Sequence, residues 1–293
     1  MKRVSGTRSR PSPHGEIRPT SGRSAVQSSS SLAAGKILQS TLDGVGTVTF
    51  NNPAKHNAMS LDMWVALGEA VNALSADPEV RVIILTGAGG KAFISGADIS
   101  QFEELRHNAE ATAQYALQSA AARKALDECP KPIIACIDGF CLGGGLLVAM
   151  LADIRVASEA SRFGIPAAKL GVAYGYHGLE RLVALVGPAR ARLLMFTGMQ
   201  IDAAEAFKFG LVDQVVGAST LWRHTMQLAR TVADNAPLAV AAAKVTVAQV
   251  LKDAACRDME AVKRIEIQCA DSDDFREGRR AFMEKRRPVF HGC

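Results

Sequence analysis

Two glycine-containing segments have the residue types and spacing to bind a negative charge with main-chain amides. The first, Lys91–Ile99, has the sequence KAFISGADI, in which Ser95-Gly96 follows a strand pattern. The second, Gly139–Leu147, has the sequence GFCLGGGLL, and its three glycines lead from a strand pattern into a helix pattern. Glycine allows close approach to the main chain, and the first N–H groups of a helix have no partner within it.

One N–H group from each segment can therefore converge on a single oxygen and form an oxyanion hole. Each such donor typically contributes about 2.7–4 kcal/mol at a transition state. Either segment alone is explained equally well by close packing of a strand against a helix. The two segments together, in this order, are the stronger signal.

Strand and helix patterns alternate around the two glycine segments. The predicted elements are strand Val45–Phe50, helix Leu61–Leu74, strand Arg81–Thr86, helix Ala109–Leu126, strand Pro132–Ile137 and strand Asp153–Ala157. Ser60 is predicted to cap the first helix, and the glycine triplet to begin another. This alternation predicts an α/β fold with a mostly parallel sheet covered by helices.

The pattern becomes helical after Leu182. The predicted helices are Ala189–Phe196, Asp202–Phe209, Leu221–Asn235, Pro237–Leu251 and Asp253–Gln268, interrupted only by a short strand at Leu211–Val216. We therefore divide the chain into a tail (residues 1–35), an α/β core (residues 36–200) and a helical C-terminal region (residues 201–293). The last region is suited to contacts between subunits.

The charge of the chain is concentrated at its N-terminus. Residues 1–35 hold six of the 34 basic side chains and one of the 29 acidic ones, so residues 36–293 carry 28 of each. A neutral body does not favour nucleic-acid binding. The apolar runs are far shorter than the ~18 residues that cross a bilayer, so a membrane protein is not expected.

The first 35 residues are rich in Ser, Arg, Pro and Gly and poor in large apolar residues. This composition predicts a disordered basic tail, because too little surface can be buried to offset chain entropy. It also fits a mitochondrial transit peptide, although the prolines and glycines disfavour an amphipathic helix. We expect a cytoplasmic protein, or one of the mitochondrial matrix if the tail is a transit peptide.

The six cysteines are scattered, without a CxxC pair or a histidine at metal-ligand spacing. A chain of this length does not need disulfides for stability, so we expect reduced, mostly buried thiols. No metal site and no redox cofactor are predicted.

The sequence as a whole resembles the enoyl-CoA hydratase/isomerase (crotonase) superfamily over residues 37–291. The segments that carry the resemblance include Asn51–Ala58, Ala92–Ile99, Pro130–Gly139, Gly143–Gly145, Ala152–Ala157, Phe163–Pro166, Ala203–Ala206 with Gly210–Val212, and Glu277–Arg286. The resemblance implies a crotonase (ClpP-like) spiral of ββα units with a helical C-terminal oligomerisation region. It also implies a homotrimer or homohexamer that binds an acyl-CoA thioester, with coenzyme A as part of the substrate.

The resemblance also assigns site residues. It places the two oxyanion-hole amides at Ser95 and Gly144, with Gly143 beside them. The main chain around Lys55, His56, Asn57 and Ala58, and around Ala97, Asp98 and Ile99, would hold the adenine and phosphates of CoA. Phe282 and Lys285, in a C-terminal helix, would contribute to the CoA site of a neighbouring subunit. For Lys285, a solvated helix face explains the charge about equally well. Asp98 and Asp153 are expected to be structural.

Two positions depart from the family pattern. Hydratases of the family use two glutamates to move the protons of water, and Leu147 and Ala167 occupy those positions here. Dienoyl isomerases use an additional aspartate, and Gly175 occupies that position. Carboxylates serve this role because their pKa can be tuned to the proton transfer. Leucine, alanine and glycine cannot replace them.

The segment after Ala167 offers substitutes for the missing carboxylates. Tyr174, Tyr176 and His177 place three polar rings where the family usually has small residues. Histidine can act as a general base near neutral pH, so His177 is a candidate proton carrier. Alternatively, the three rings fill the volume left by the glutamates, with their hydroxyls bonded to the main chain.

These residues lead to two functional hypotheses and a less favoured third. The first is an acyl-CoA lyase or isomerase that acts through an oxyanion-stabilised thioester enolate, with an unassigned proton carrier. The second is a non-catalytic acyl-CoA-binding protein, which the residues at 147 and 167 would permit. The third, RNA binding, is supported only by the basic tail.

Overall fold

The computed structural model describes residues 28–101 and 108–293, which form two β-sheets surrounded by helices. The strands are β1 Ser28–Leu32, β2 Ile37–Leu42, β3 Val45–Phe50, β4 Val82–Gly87, β5 Ala92–Ile94, β6 Ile133–Ile137, β7 Phe140–Leu142, β8 Ile154–Ser158, β9 Arg162–Gly164, β10 Gln200–Asp202 and β11 Gln214–Val216. The helices are α1 Leu61–Ala76, α2 Ala109–Asp127, α3 Gly144–Leu151, α4 Tyr176–Thr197, α5 Ala203–Phe209, α6 Ala218–Asp234, α7 Pro237–Val250, α8 Met259–Asp271 and α9 Asp273–Met283.

The large sheet has seven strands in the order β1-β2-β3-β4-β6-β8-β11. Strands β1 to β3 pair antiparallel, and β3, β4, β6, β8 and β11 pair in parallel. The small sheet has the order β10-β9-β7-β5, in which β5, β7 and β9 are parallel. Each of β4, β6 and β8 in the large sheet is followed by a strand of the small sheet. Repeated ββ(α) units therefore generate a spiral, as the resemblance implied.

The core lies between the large sheet and helices α1 and α2. All five residues of β6 are buried, as expected for a parallel strand covered on both faces. Met63, Leu67, Val71 and Leu74 of α1 are fully buried, and their spacing of three or four residues forms one helical face. This packing fixes the strands from which the two glycine segments emerge.

The predicted elements are confirmed most closely where the pattern is long. Strand β3 has the predicted bounds, and most other strand and helix ends lie within three residues of the prediction. Helix α4 begins at Tyr176 rather than Ala189, and is kinked at Gly187, where φ is 78°. The predicted helix Asp253–Gln268 is instead a short 3₁₀ turn followed by α8, because an N-cap forms at Asp258, whose side chain accepts from Ala261 N–H.

Part of the predicted tail belongs to the fold. Ser28–Leu32 pairs antiparallel with β2, so the prediction of disorder is wrong for residues 28–35. Main-chain hydrogen bonding to the edge of the sheet orders this serine-rich segment, whose serine side chains are exposed. Residues 1–27, the remainder of the predicted tail, lie outside the described residues.

Three remaining expectations concern Asp153, the cysteines and the membrane. The Asp153 carboxylate accepts hydrogen bonds from Ile133 N–H at 2.7 Å and Lys244 Nζ at 2.8 Å, a structural role. All six thiols are free, but only Cys129, Cys136 and Cys141 are buried. Across residues 28–101 and 108–293, no helix is both long and apolar enough to span a bilayer.

Candidate active site

The two glycine segments lie side by side. Strand β5 pairs in parallel with β7, so the loops that follow both strands leave the small sheet at the same edge. A Cβ atom added to Gly143 would lie 3.9 Å from Gly96 Cα, and one added to Gly96 would lie 3.6 Å from Leu142 O. The structure thus brings the segments together, as the sequence predicted.

The amide of Ser95 is already bonded within the chain. Ser95 N–H donates to His56 O at 3.1 Å. On the same side of this segment, Met59 N–H donates to Gly96 O at 2.8 Å and Asp98 N–H donates to Met59 O at 2.9 Å. The assignment of Ser95 as an oxyanion-hole donor is therefore wrong for this structure, because its N–H group faces the 56–59 loop and has an acceptor there.

Ala97 offers the donor that Ser95 does not. Met59 and Ala97 form a parallel bridge in which Met59 bonds to the residues on either side of Ala97, through Gly96 O and Asp98 N–H, so Ala97 N–H points away from Met59. Within the described part of the chain, no acceptor is recorded for Ala97 N–H. Which residue of an extended segment has an outward N–H depends on the pairing of that segment, so the sequence motif alone did not distinguish Ala97 from Ser95.

The second donor lies at the N-terminus of a helix. Gly143 is the N-cap of α3 and Gly144 is its first residue, so Gly144 N–H has no partner inside the helix. A Cβ atom on Gly144 would meet only Trp64 Cζ2, at 3.6 Å, whereas one on Gly145 would lie 2.3 Å from Ile94 O. Packing within the chain therefore requires glycine at 145 and leaves room for a Cβ atom at 144, in ordinary contact with Trp64.

Tyr174 is the one of the three predicted polar rings that reaches the glycine triplet. Its hydroxyl donates to Gly143 O at 3.2 Å, and its ring packs against the hydrophobic core. Burial raises the pKa of Tyr174 well above its ordinary value, so the phenol stays protonated at neutral pH. This arrangement matches the alternative in which a ring fills volume and bonds to the main chain.

Tyr176 and His177 lie elsewhere, on the surface of the first turn of α4. The Tyr176 side chain is 74% exposed, and that of His177 is 84% exposed. The His177 ring contacts the edge of Tyr176, and its Nδ1 lies 3.8 Å from Glu180 Oε2. This chain does not place either ring against the glycine segments, and their catalytic roles stay predictions.

The two departures from the family pattern flank the glycine triplet. Leu147 lies in the first turn of α3, partly buried against the core, and its N–H donates to Gly143 O at 3.1 Å. Ala167 is buried in the 3₁₀ turn Pro166–Leu170, next to Pro166, whose Cδ lies 4.0 Å from a Cβ added to Gly143. Aliphatic groups thus occupy both positions where a hydratase would carry a carboxylate.

The loop predicted to hold CoA is fixed by a buried amide. The Asn57 side chain is fully buried and donates to Ala88 O and Ala92 O, at 3.0 and 2.7 Å. Its Oδ1 accepts from Asn52 N–H at 2.9 Å. His56 and Asn57 both have left-handed φ, 49° and 56°. This conformation costs free energy in residues other than glycine, and the three hydrogen bonds of the Asn57 side chain offset that cost. The loop between β3 and α1 therefore has a fixed conformation at one side of the candidate site.

An ion pair joins this loop to the first glycine segment. Lys55 Nζ lies 2.8 Å from Asp98 Oδ2, and Asp98 Oδ1 accepts from the Ser100 hydroxyl at 2.6 Å. Burial acts to raise the pKa of Asp98, but the hydrogen bonds from Lys55 and Ser100 outweigh it and lower this pKa. Ala58 is partly buried and Ile99 is 61% exposed, so Ile99 is available to a ligand.

Phe282 and Lys285 lie at the C-terminal end of α9. Phe282 is 83% exposed in the last turn of the helix. The prediction that Lys285 lies in this helix is wrong. Helix α9 ends at Met283, and Lys285 follows it with a left-handed φ of 53°. Both side chains face outward, and their contribution to a neighbouring subunit stays a prediction.

Comparison with known proteins identifies the family. The sequence profile described as enoyl-CoA hydratase/isomerase matches residues 40–293. The chain therefore belongs to the enoyl-CoA hydratase/isomerase family of the crotonase superfamily.

Named relatives match along most of their length. The chain is 36% identical over 247 residues to the short-chain-enoyl-CoA hydratase of Clostridium acetobutylicum, which covers 83% of this chain and 92% of that protein. It is 32% identical over 263 residues to the crotonyl-CoA hydratase of Syntrophomonas wolfei, covering 88% and 99%. The crystal structure of an enoyl-CoA hydratase/carnithine racemase from Magnetospirillum magneticum has a TM-score of 0.85 at 37% identity, covering 91% and 97%.

The different packing of two adjacent glycines gives a first prediction. Gly145→Ala is expected to lower the free energy of unfolding by about 1–3 kcal/mol or more, because its Cβ would overlap Ile94 O. Gly144→Ala is expected to leave it unchanged or raise it by up to about 1 kcal/mol, since alanine favours helix and its Cβ would make only an ordinary contact with Trp64. Urea denaturation measures both, and equal losses would contradict the assigned packing.

Proposed function

We propose that this chain binds an acyl-CoA thioester and stabilises its enolate between the N–H groups of Ala97 and Gly144. The observation that supports the proposal is the pair of outward-facing main-chain donors in two adjacent loops, one of them at a helix N-terminus. Such donors need no proton transfer and no reorientation when charge develops on the oxygen. Stabilisation of the enolate oxygen therefore depends on main-chain groups alone and does not require the two glutamates.

The substrate class is proposed from the relatives. They are named for short-chain enoyl-CoA and crotonyl-CoA, which are both α,β-unsaturated thioesters. In this chain the loop that would hold CoA is braced by Asn57 and by the Lys55–Asp98 ion pair. We extend the acyl-CoA class to this protein, and leave open the acyl group and the trimeric or hexameric state.

The proton carrier of an ordinary hydratase is missing. Leu147 and Ala167 cannot donate or accept a proton, and Tyr174 is held protonated with its hydroxyl on a main-chain oxygen. The chemistry that fits these groups is a lyase or isomerase step in which the substrate, or an unassigned proton carrier, supplies the proton transfer. Ordinary hydration of a double bond fits them poorly.

A second candidate function is supported by the same aliphatic residues. A protein that binds acyl-CoA without turning it over needs the oxyanion donors and the CoA loop, but neither glutamate. Turnover of any thioester would distinguish the enzyme from the binding protein. A thermal-shift and mass-change screen of acyl-CoA thioesters tests both, since a ligand that binds only the folded state must raise the melting temperature.

Weak hydration is the prediction that tests the acid–base assignment. Crotonyl-CoA hydration is expected to be at least about 10²-fold slower than that of the Clostridium acetobutylicum relative, because one positioned acid–base group typically contributes about 10²–10⁴ in rate. Absorbance loss of the conjugated thioester measures both proteins in parallel. Equal rates would show that residues other than those at 147 and 167 perform the proton transfers.

Removal of one N–H group tests the oxyanion donors. Gly144→Pro deletes the donor at the first position of α3, where proline is compatible with a helix. Butyryl-CoA should then bind about two- to twelvefold more weakly, because one hydrogen bond contributes about 0.5–1.5 kcal/mol. Titration calorimetry measures this affinity.

Gly144→Ala is the matched control, since it adds a side chain at the same position and keeps the N–H group. It is expected to bind more tightly than Gly144→Pro. Should Gly144→Pro fold and bind butyryl-CoA as tightly as the unmodified chain, Gly144 would not be a donor to the thioester.

A further inference from the structure

The Gly143–Gly144 peptide is hydrogen-bonded on its carbonyl side. Gly143 O accepts from the Tyr174 hydroxyl at 3.2 Å and from Leu147 N–H at 3.1 Å. Gly143 N–H, in the preceding peptide, donates to Gly164 O at 2.9 Å. The main chain around the triplet is therefore held by three bonds, and one of them comes from a side chain.

The same peptide carries the proposed donor. A peptide unit is planar, and this one is trans, so Gly144 N–H points in the direction opposite to Gly143 C=O. Whatever fixes the carbonyl therefore fixes the direction of the N–H group. A hydrogen bond to the carbonyl also strengthens the hydrogen bond that the attached N–H donates, by about 10–30%.

Tyr174 is itself held in place. It lies in the loop before α4, and a Cβ atom on Gly178, one turn further, would lie 2.4 Å from Tyr174 Cε1. The ring therefore packs directly over the buried Gly178 and has no room to swing toward α4. Leu147 N–H is part of the helix start and would remain in any variant, whereas the Tyr174 hydroxyl is a separate, removable contact.

We propose that Tyr174 is a positioning residue, whose hydroxyl holds the Gly143–Gly144 peptide so that Gly144 N–H faces the thioester oxygen. This inference rests on the proposed function, since it assigns a role to Tyr174 at the same oxyanion hole. Tyr174 would then not be a substitute for the missing carboxylates. It would support the main-chain donor on which the site depends in their absence.

The test is the carbonyl stretch of bound butyryl-CoA labelled with ¹³C at the thioester carbon, measured by isotope-edited difference infrared spectroscopy. A hydrogen bond to the thioester oxygen lowers this frequency, and turnover is not required. The unmodified chain should lower it relative to free butyryl-CoA. Tyr174→Phe should bind the ligand with less than about a tenfold change in affinity, yet lower the frequency less.

Tyr115→Phe is the matched control. Tyr115 is a second buried tyrosine, and both rings lie near the Arg123 guanidinium. The control thus removes a buried hydroxyl near the same cation while the Tyr174–Gly143 bond stays intact. It should give the frequency of the unmodified chain.

A second variant keeps the proposal testable if Tyr174→Phe does not fold. Replacement of Tyr174 by 3-fluorotyrosine preserves the shape of the ring and makes the hydroxyl a stronger donor, so the bound frequency should fall further. With a substrate that is turned over, Tyr174→Phe should lower kcat about three- to tenfold and leave KM nearly unchanged, because charge develops on the oxygen only in the transition state.

The outcomes separate the two levels of the proposal. A lowered frequency in the unmodified chain that is unchanged in Tyr174→Phe, or unaffected by the fluorinated ring, would overturn the role of Tyr174 and leave the oxyanion hole intact. No binding, or no lowered frequency in the unmodified chain, would instead overturn the proposed function.

Discussion

Strands β5 and β7 run in the same direction in the small sheet, and each ends in a glycine-containing loop at the same edge. This pairing determines the distance between the two loops. Gly145 fits against Ile94 O with no room for a side chain, so the start of α3 is held against the end of β5. The positions of Ala97 and Gly144, and with them the site, depend on this contact.

Main-chain groups supply the oxyanion donors that we propose for this chain. Hydratases of the family have glutamates at the two positions that Leu147 and Ala167 occupy in this chain, whereas the glycine triplet is intact. The polar side chains near the loops bond to main-chain groups or to each other. Asn57 bonds three main-chain groups, Asp98 pairs with Lys55, and Tyr174 bonds Gly143 O. On the proposed function, these bonds fix the directions of the N–H groups, and Leu147 and Ala167 leave proton transfer to another group.

The sequence predicted the fold in outline, because β3, β6 and α1 carry long apolar patterns that identify their type. It missed β5, β7, β9 and β10 as separate strands, since three residues are too few to show a period. It also missed β2, whose sequence ILQSTL does not alternate apolar and polar residues. It also placed residues 28–35 in the tail, because the pairing of a serine-rich edge strand depends on a partner elsewhere in the chain.

Within the site, the motifs located both loops but not the donor in the first. That choice depends on which side of the segment bonds to Met59, which only the folded chain shows. The role of Tyr174 was likewise undecided, because the same side chain could face the ligand or the main chain. The sequence alone does not distinguish Tyr174 from Tyr176 and His177 as candidate site residues. In the structure, Tyr176 and His177 are exposed and Tyr174 is not.

On the proposed function, a thioester oxygen binds between Ala97 N–H and Gly144 N–H. A crystal structure of the chain with bound butyryl-CoA measures this position. The thioester oxygen should lie about 2.7–3.1 Å from both nitrogen atoms, with Ser95 N–H still bonded to His56 O. A thioester oxygen bound away from both amides, or held by Ser95 N–H instead of Ala97 N–H, would rule this binding mode out.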